Sequence, residues 1–188
     1  PMMTTVFMWL GTIPAFIFLP LLPSIKRKIG KAAMFRLFLG ISIVGMILMY
    51  VIVSIPSLSS CFPLVCAIQF IKSVGILVAT GYMWALVPEV VTFGEYTTGR
   101  RVAAIVNAII CIFMKAGMAL GGVIPGFVLA WVGFNASNQV QTPLAQQGIL
   151  WLVTLIPAAL FLLATFVIGK YELSDEKMDE INLSITNK

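Results

Sequence analysis

Residues 37–71, LFLGISIVGMILMYVIVSIPSLSSCFPLVCAIQFI, contain no acidic or basic side chain, although one bilayer crossing needs only about 20 apolar residues. Residues 116–169 are likewise free of Asp, Glu, Lys and Arg. Across all 188 residues, 60% are hydrophobic and only 10% are charged, which is too little charge to cover a soluble surface. We therefore expect most of the chain to lie in lipid.

Five apolar segments, separated by polar or proline-rich stretches, predict an all-α membrane protein with five transmembrane helices. Pro20 and Pro23 are expected to end the first helix, and residues 88–101 are expected to form a short loop after the third. Residues 170–188 form a charged tail, whereas residues 1–169 form a transmembrane bundle with spans at about 2–22, 32–55, 64–87, 102–132 and 148–169.

Basic side chains occur in only one of the two sets of alternate loops and helix ends. By the positive-inside rule, these loops and the C-terminus are cytoplasmic, and with five spans the N-terminus lies on the opposite side. The formal net charge of +5 is interpreted as this topology signal, and no nucleic-acid partner is expected, because the basic residues flank apolar spans. The basic residues of this set of loops and helix ends are Lys26, Arg27, Lys28, Lys31, Arg36, Arg100, Arg101 and Lys170.

The chain opens inside an apolar segment at Pro1, without the basic segment or cleavage site of a signal peptide. Together with the odd number of spans, this leads us to expect a C-terminal fragment whose N-terminal helical bundle is missing. Alternatively, translation starts at Met2 or Met3.

Two lysines fall inside predicted spans, and no span contains an acid. Lys115 is expected near the bilayer midplane and Lys72 roughly 12 Å below the exterior edge, at 1.5 Å per helical residue. A buried cation costs at least about 2.5 kcal/mol and usually faces a bundle interior or aqueous cavity, where it finds a partner. The alternative is that each lysine extends its ammonium to a helix end.

Small residues follow Lys115, and Gly117 and Gly121 share one helix face, which is typical of close helix packing. The stretch from Glu89 to Arg101 concentrates two acids and two arginines. These charges are either solvated surface or a salt-bridge cluster that holds two helix bundles together at the cytoplasmic face in one conformation.

Residues 88–101, PEVVTFGEYTTGRR, followed by KAGMALGG at 115–122, resemble a motif of the glycoside-pentoside-hexuronide cation symporter family in its melibiose-permease-like form. A Lys-x-Gly-Lys loop, a Gln-Thr-Pro loop and a Tyr-x-Leu tail are similar too. The resemblance covers essentially the whole chain and implies helices eight to twelve of a twelve-helix major-facilitator fold.

The resemblance also implies roles for individual residues. Glu89 and Glu95 match two of the family's loop acids, Arg101 matches its loop arginine, and Lys115 matches its helix-eleven lysine. Arg100 is expected to join this charge cluster between the two bundles.

Two positions depart from the family's pattern. Thr92 stands where the family usually has a second aspartate, so the full charge cluster does not carry over. Thr80 stands where galactoside transport uses a sugar-contacting tryptophan, so galactoside specificity does not carry over either.

The function implied by the resemblance is secondary active symport of a sugar or glycoside with Na⁺ or H⁺ in a bacterial cytoplasmic (inner) membrane. The expected partners are membrane lipid, the sugar and the missing N-terminal bundle, with no cofactor other than the coupling cation. The alternative is a non-transporting five-span scaffold or assembly subunit. An enzyme is not expected, because the sequence shows no paired nucleophile and base, metal cluster or phosphate loop.

Overall fold

The structure is a computed structural model that describes residues 2–138, 140–170 and 175–186. Within these ranges the regular elements are helices: α1 (Met2–Phe18), α2 (Leu22–Ile29), α3 (Lys31–Ser54), α4 (Pro56–Ser59), α5 (Phe62–Thr98), α6 (Ala103–Trp131), α7 (Pro143–Val153), α8 (Leu155–Ile168) and α9 (Asp175–Thr186). A 3₁₀ turn, Leu19–Leu21, joins α1 to α2.

Five helical segments of the described chain are long and apolar enough to cross a membrane. Three of them are α3, α5 and α6, while α1 with α2 forms another and α7 with α8 forms the last. The predicted all-α membrane fold is therefore confirmed. Helices α3 and α6 lie within one residue of the predicted spans 32–55 and 102–132.

The third helix is much longer than the sequence predicted. Pro88 does not end it, and α5 continues to Thr98, so the expected loop at 88–101 is largely helical. A proline inside a helix removes one backbone hydrogen bond, but the turns on either side keep theirs. The helix ends where Gly99 adopts a left-handed conformation at φ 65°, which glycine reaches without a side-chain clash.

The first and last spans also differ from their predicted bounds. Pro20 and Pro23 do not stop the helical path, because each occupies an early position of a helical element, where its missing N–H is not needed. The path therefore runs on to Ile29. At the other end, the last span begins at Pro143 and is interrupted at Thr154, where Pro157 cannot donate to the carbonyl of Val153.

Helix α5 is the centre of the bundle and packs against α1 and α3, while α8 packs against α3. Buried side chains of α2, α3 and α5 form one core cluster, which contains Leu22, Met34, Phe38, Val74 and Val78. A second cluster joins α3 and α5 to α8 through Phe35, Leu39, Ala79 and Leu86. Apolar burial thus holds α3, α5 and α8 together.

Close backbone approach accompanies this packing between α3 and α5. A Cβ atom on Gly75 would collide with the Phe38 carbonyl oxygen and Ser42 Oγ, and one on Gly45 would lie 2.9 Å from Lys72 Cα. The two helices therefore cross with their backbones almost in contact.

The charged tail contains α9, which packs against α5 and buries Met178 and Ile181. Residues 171–174, and with them the Tyr-x-Leu pattern, lie outside the described residues, as do residues 187–188.

Candidate functional site

Lys115 lies near the middle of α6, twelve residues after the helix begins at Ala103. That spacing corresponds to about 18 Å along the axis. Its side chain is exposed, and no residue of α6 is buried. The ammonium forms no ion pair or hydrogen bond with any side chain that the structure describes. Lys115 therefore presents an uncompensated cation on a helix whose surface is largely uncovered.

The glycines after Lys115 do not pack against the described helices. Cβ atoms on Gly117, Gly121, Gly122 and Gly126 would meet nothing within 4 Å. The close packing predicted for Gly117 and Gly121 is absent from the part of the chain that the structure describes.

Glu89 is the centre of a charge cluster in the C-terminal part of α5. Its Oε2 accepts a hydrogen bond from Lys31 Nζ at 2.7 Å, and its Oε1 lies 3.9 Å from Lys26 Nζ. The Lys31 side chain is only 3% exposed and that of Glu89 19%. This cluster joins the beginning of α3 to α5 within the same bundle.

The other residues of the predicted charge cluster are not brought to Glu89. Glu95 lies six residues further along α5, about 9 Å along the axis, and forms no ion pair among the described side chains. Arg100 and Arg101 follow the end of the helix and are exposed. Thr92 Oγ1 donates to the Pro88 carbonyl oxygen at 3.0 Å, so its hydroxyl is used within α5.

Sequence reasoning missed the role of Lys31, which it interpreted only as a topology signal. The position of Lys31 directly after Gly30, at the first residue of α3, was visible in the sequence. Its partner is 58 residues away, however, and no local pattern reports a pair of that separation.

Lys72 is buried where α1, α3 and α5 meet and has an exposed fraction of 7%. Helix α5 begins ten residues earlier at Phe62, which places Lys72 about 15 Å along the axis from that helix end. Ser42 Oγ donates to the Lys72 carbonyl oxygen at 3.0 Å, which ties α3 to α5 at this level. Lys72 and Lys115 therefore lie on different helices and in different environments.

Two apolar cavities flank α5 further along. One, of about 180 Å³, lies between α3, α5 and α8 and is lined in part by Thr80 and Phe161. The Thr80 hydroxyl donates to the Ile76 carbonyl oxygen at 2.8 Å. The other, of about 450 Å³, lies between α5 and α6 and includes Trp84 and Phe113.

A more polar cavity of about 480 Å³ lies between α2 and α9. Lys26 and Arg27 line one side and Asp179 the other. Arg36 links α3 to the end of α8, because its Nη2 donates to the Gly169 carbonyl oxygen at 2.9 Å, just past the last residue of α8. Among the described residues, no group of three His, Cys, Asp or Glu side chains could hold a metal ion.

Comparison with known proteins identifies the family. The family model described as MFS/sugar transport protein matches residues 1–175. The chain is 40% identical over 179 residues to the Uncharacterized symporter YnaJ of Bacillus subtilis, which covers 95% of this chain and 37% of that protein. It is 37% identical over 169 residues to the Glucuronide carrier protein homolog of Escherichia coli, which covers 90% of this chain and 36% of that protein.

A third relative, the Uncharacterized symporter YjmB of Bacillus subtilis, is 31% identical over 168 residues, with 89% of this chain and 35% of that protein covered. The chain thus spans little more than a third of the length of these relatives. No solved structure matches. The family model and these relatives show that the chain belongs to the MFS/sugar transport protein family and is of the glycoside-pentoside-hexuronide symporter type.

Proposed function

We propose that the chain supplies the C-terminal helices of a symporter that couples uptake of a sugar or glycoside to a gradient of Na⁺ or H⁺. The transporter acts in the bacterial cytoplasmic membrane with its C-terminus in the cytoplasm. The family membership supports this, as do relatives named as symporters and as a glucuronide carrier homolog.

The observation that carries the proposal is Lys115 on the uncovered helix α6. A midmembrane cation is retained against an insertion cost of about 2.5 kcal/mol or more, which points to a functional partner. Acids are absent from the predicted spans of this chain. The partner carboxylates therefore belong to the N-terminal bundle that covers α6.

The coupling mechanism follows from electrostatics. In the absence of the cation, Lys115 pairs with those carboxylates across the interface between the bundles. A bound Na⁺ or H⁺ neutralises the carboxylates and releases the lysine, so ion occupancy changes the position of α6 relative to the sugar. Rocking of one bundle against the other then alternates access.

Glu95, Arg100 and Arg101 remain candidates for contacts with the N-terminal bundle, because they form no ion pair among the described side chains. The orientation rests on the basic residues of the cytoplasmic loops.

The test is gradient-driven uptake by the complete polypeptide that carries this chain in its native coding context. Inside-negative membrane vesicles are given an inward Na⁺ or H⁺ gradient and radiolabelled methyl β-glucoside or methyl β-glucuronide. We expect the parent to accumulate at least one sugar with one gradient, and an ionophore for that ion to abolish accumulation. If neither sugar accumulated under either the Na⁺ or the H⁺ gradient, the proposal would be contradicted.

Lys115→Ala is then expected to reach the membrane at the parental level but to lose accumulation against a gradient. Lys115→Arg should retain little, because the planar guanidinium does not replace a compact ammonium. Lys28→Ala, which removes an exposed lysine near the end of α2, is the matched control and should transport normally. Parental accumulation by Lys115→Ala would show that Lys115 is not part of the coupling.

A further inference from the structure

The cavity between α2 and α9 is lined by charged and polar side chains that the proposed transport mechanism does not use. Its volume of about 480 Å³ is within the range of small-molecule sites in proteins. The lining residues are Pro23, Ser24, Lys26, Arg27 and Asp179. Lys26 is also near the carboxylate of Glu89, at 3.9 Å, but the other four do not contribute to that charge cluster.

Both walls of this cavity are anchored to the bundle by apolar side chains. Helix α2 buries Leu22 in the core cluster that it shares with α3 and α5. Helix α9 packs against α5 and buries Met178 and Ile181, while Asp179 between them is exposed. Apolar packing, and not an ion pair across the cavity, therefore sets the separation of the two walls.

Three polar groups of the lining have no partner among the described residues. Arg27 and Asp179 line the same cavity from different helices but form no ion pair with each other or with another described side chain. Ser24 Oγ forms no hydrogen bond in that part of the chain either. Arg27 can only donate, Asp179 can only accept, and the hydroxyl of Ser24 can do both. The cavity thus offers donors on the α2 wall and an acceptor on the α9 wall.

The charges of the lining favour an anion next to α2. Lys26 and Arg27 carry two positive charges against the one negative charge of Asp179, so one positive charge is in excess. A guanidinium group binds phosphate oxygens through paired N–H donors. A phosphodiester with one negative charge would neutralise the excess, but Asp179 would repel it unless a hydroxyl group beyond the phosphate donates to the carboxylate.

The surroundings of the cavity favour a lipid over a free phosphate ion. The α2 wall is the last part of the apolar segment Thr5–Ile29, which is long enough to cross the membrane, so the cavity lies at the level of the headgroups. Pro23 lines the cavity, and Leu19 and Leu21 just before it are 40% and 48% exposed. Basic pockets beside membrane-spanning helices bind lipid headgroups, and acyl chains require such an apolar surface nearby.

We infer that the cavity between α2 and α9 binds one anionic phospholipid whose headgroup carries a hydroxyl group, as in phosphatidylglycerol. Arg27 and Ser24 donate to the phosphate oxygens, and Lys26 adds positive charge. Asp179 accepts a hydrogen bond from the headgroup hydroxyl. The lipid therefore bridges α2 and α9, unlike the bulk lipid that surrounds the apolar faces of the spans.

The experiment measures the binding of phospholipids with identical acyl chains to the purified complete polypeptide, by native mass spectrometry in detergent. Phosphatidylglycerol is anionic and has headgroup hydroxyls, phosphatidylmethanol has the same charge without them, and phosphatidylethanolamine is zwitterionic. Arg27→Gln and Asp179→Ala each remove one group of the lining. Lys28→Gln and Glu180→Ala are the matched controls, because each removes an exposed charge of the same helix outside the cavity lining.

We expect the parent to bind phosphatidylglycerol about fivefold more tightly than phosphatidylmethanol, because one hydrogen bond distinguishes the two lipids. Arg27→Gln should weaken both anionic lipids about fivefold, the usual effect of one basic residue at the membrane surface. Asp179→Ala should abolish the preference for phosphatidylglycerol without weakening phosphatidylmethanol. The two controls should change each affinity less than about twofold. All four positions are exposed, and thermal unfolding in detergent checks that the variants are folded.

Four results would overturn the inference. Absence of lipid binding by the parent is one, and equal weakening by Arg27→Gln and Lys28→Gln is another, because it would show diffuse attraction to the basic residues of α2. Equal binding of both anionic lipids by the parent, with Asp179→Ala strengthening both, would show that Arg27 pairs directly with Asp179. Tighter binding of phosphatidylethanolamine, or displacement of phosphatidylglycerol by equimolar inorganic phosphate, would assign the cavity to another ligand. These measurements do not depend on sugar uptake, so the proposed function is tested separately.

Discussion

Replacing Glu89 by glutamine keeps the size of the side chain and removes the charge that Lys31 and Lys26 share. Lys31 Nζ lies 2.7 Å from Glu89 Oε2, and the Lys31 side chain is 3% exposed. Lys26 Nζ lies 3.9 Å from Oε1 and its side chain is 25% exposed. The substitution therefore leaves a buried cation facing a neutral amide, with a second cation nearby.

The size of the effect follows from this difference in burial. A hydrogen bond to a charged, buried group contributes about 1.5–3 kcal/mol, whereas an exposed pair such as Lys26 with Glu89 contributes up to about 1 kcal/mol. We expect Glu89→Gln to lower the free energy of unfolding by about 2–3 kcal/mol, mainly through Lys31. For soluble domains of similar size, this corresponds to a fall in melting temperature of roughly 4–12 °C.

The assay uses a thiol-reactive dye that fluoresces on reaction with Cys66, which is 8% exposed and becomes accessible on unfolding. The exposed Cys61 and Cys111 are first replaced by serine. Glu180→Gln is the control for removal of one acid, because Glu180 is exposed on α9 and forms no ion pair among the described side chains. It should melt within about 2 °C of the parent, as is usual for a surface change.

A double-mutant cycle with Lys31→Met isolates the pair. We expect a coupling energy of about 2 kcal/mol between Glu89 and Lys31, and at most about 0.5 kcal/mol between Glu89 and Lys26. The double variant should be more stable than Glu89→Gln, because it removes the buried ammonium together with the carboxylate that binds it. The reasoning would be refuted if Glu89→Gln had the melting temperature of the parent and the double-mutant cycle gave no coupling energy with Lys31.

Two further predictions concern packing and topology. Gly75→Ala should destabilise the protein by about 1–3 kcal/mol in the same dye assay, because its methyl group would collide with the Phe38 carbonyl oxygen and Ser42 Oγ, whereas Gly40→Ala, with open space around it, should not. A destabilisation no larger than that of Gly40→Ala would contradict the close crossing. The exposed Cys61, at the N-cap position of α5, should react with an impermeant maleimide added to the exterior of intact cells. Labelling only in inverted vesicles would show that the predicted topology is wrong.

The number of membrane-spanning segments and their helical nature could be predicted from the sequence, because apolar length indicates which segments can span a bilayer. The effect of Pro20, Pro23 and Pro88 on the helix bounds could not be predicted from the sequence. Proline was expected to end each helix, but the first two occupy early positions of new helical turns and the third lies inside a helix that Gly99 ends. The identity of a proline does not show which of these positions it occupies.

The part of the candidate site that consists of one charged residue within a span could be predicted from the sequence. The expected position of Lys115 near the centre of its helix needed only the sequence and the helical rise. The pairing of Glu89 with Lys31 needed the tertiary structure, since the two residues are 58 positions apart and the competing partner, Arg101, was closer in sequence. The burial of Gln69 Oε1 without a hydrogen-bond partner among the described residues was likewise visible only after α1 and α5 were packed together.

Contacts between the helices of this bundle are unevenly distributed. Helices α3 and α5 are joined by the crossing at Gly75, by the hydrogen bond from Ser42 to the Lys72 carbonyl and by the Lys31 to Glu89 pair. These contacts lie at different levels of the two helices and hold α3 and α5 together along their length.

Helix α6 has no such connection, since none of its residues is buried and an apolar cavity separates it from α5. We therefore expect a change in the position of Lys115 to be accommodated by rotation of α6 at the Gly99 turn, with the cavity between α5 and α6 changing in volume. Apolar side chains can slide past one another at little cost there, whereas separation of α3 from α5 would break a buried charge pair. For the proposed transporter, we therefore expect conformational changes in this bundle to involve α6, while α3 and α5 stay together.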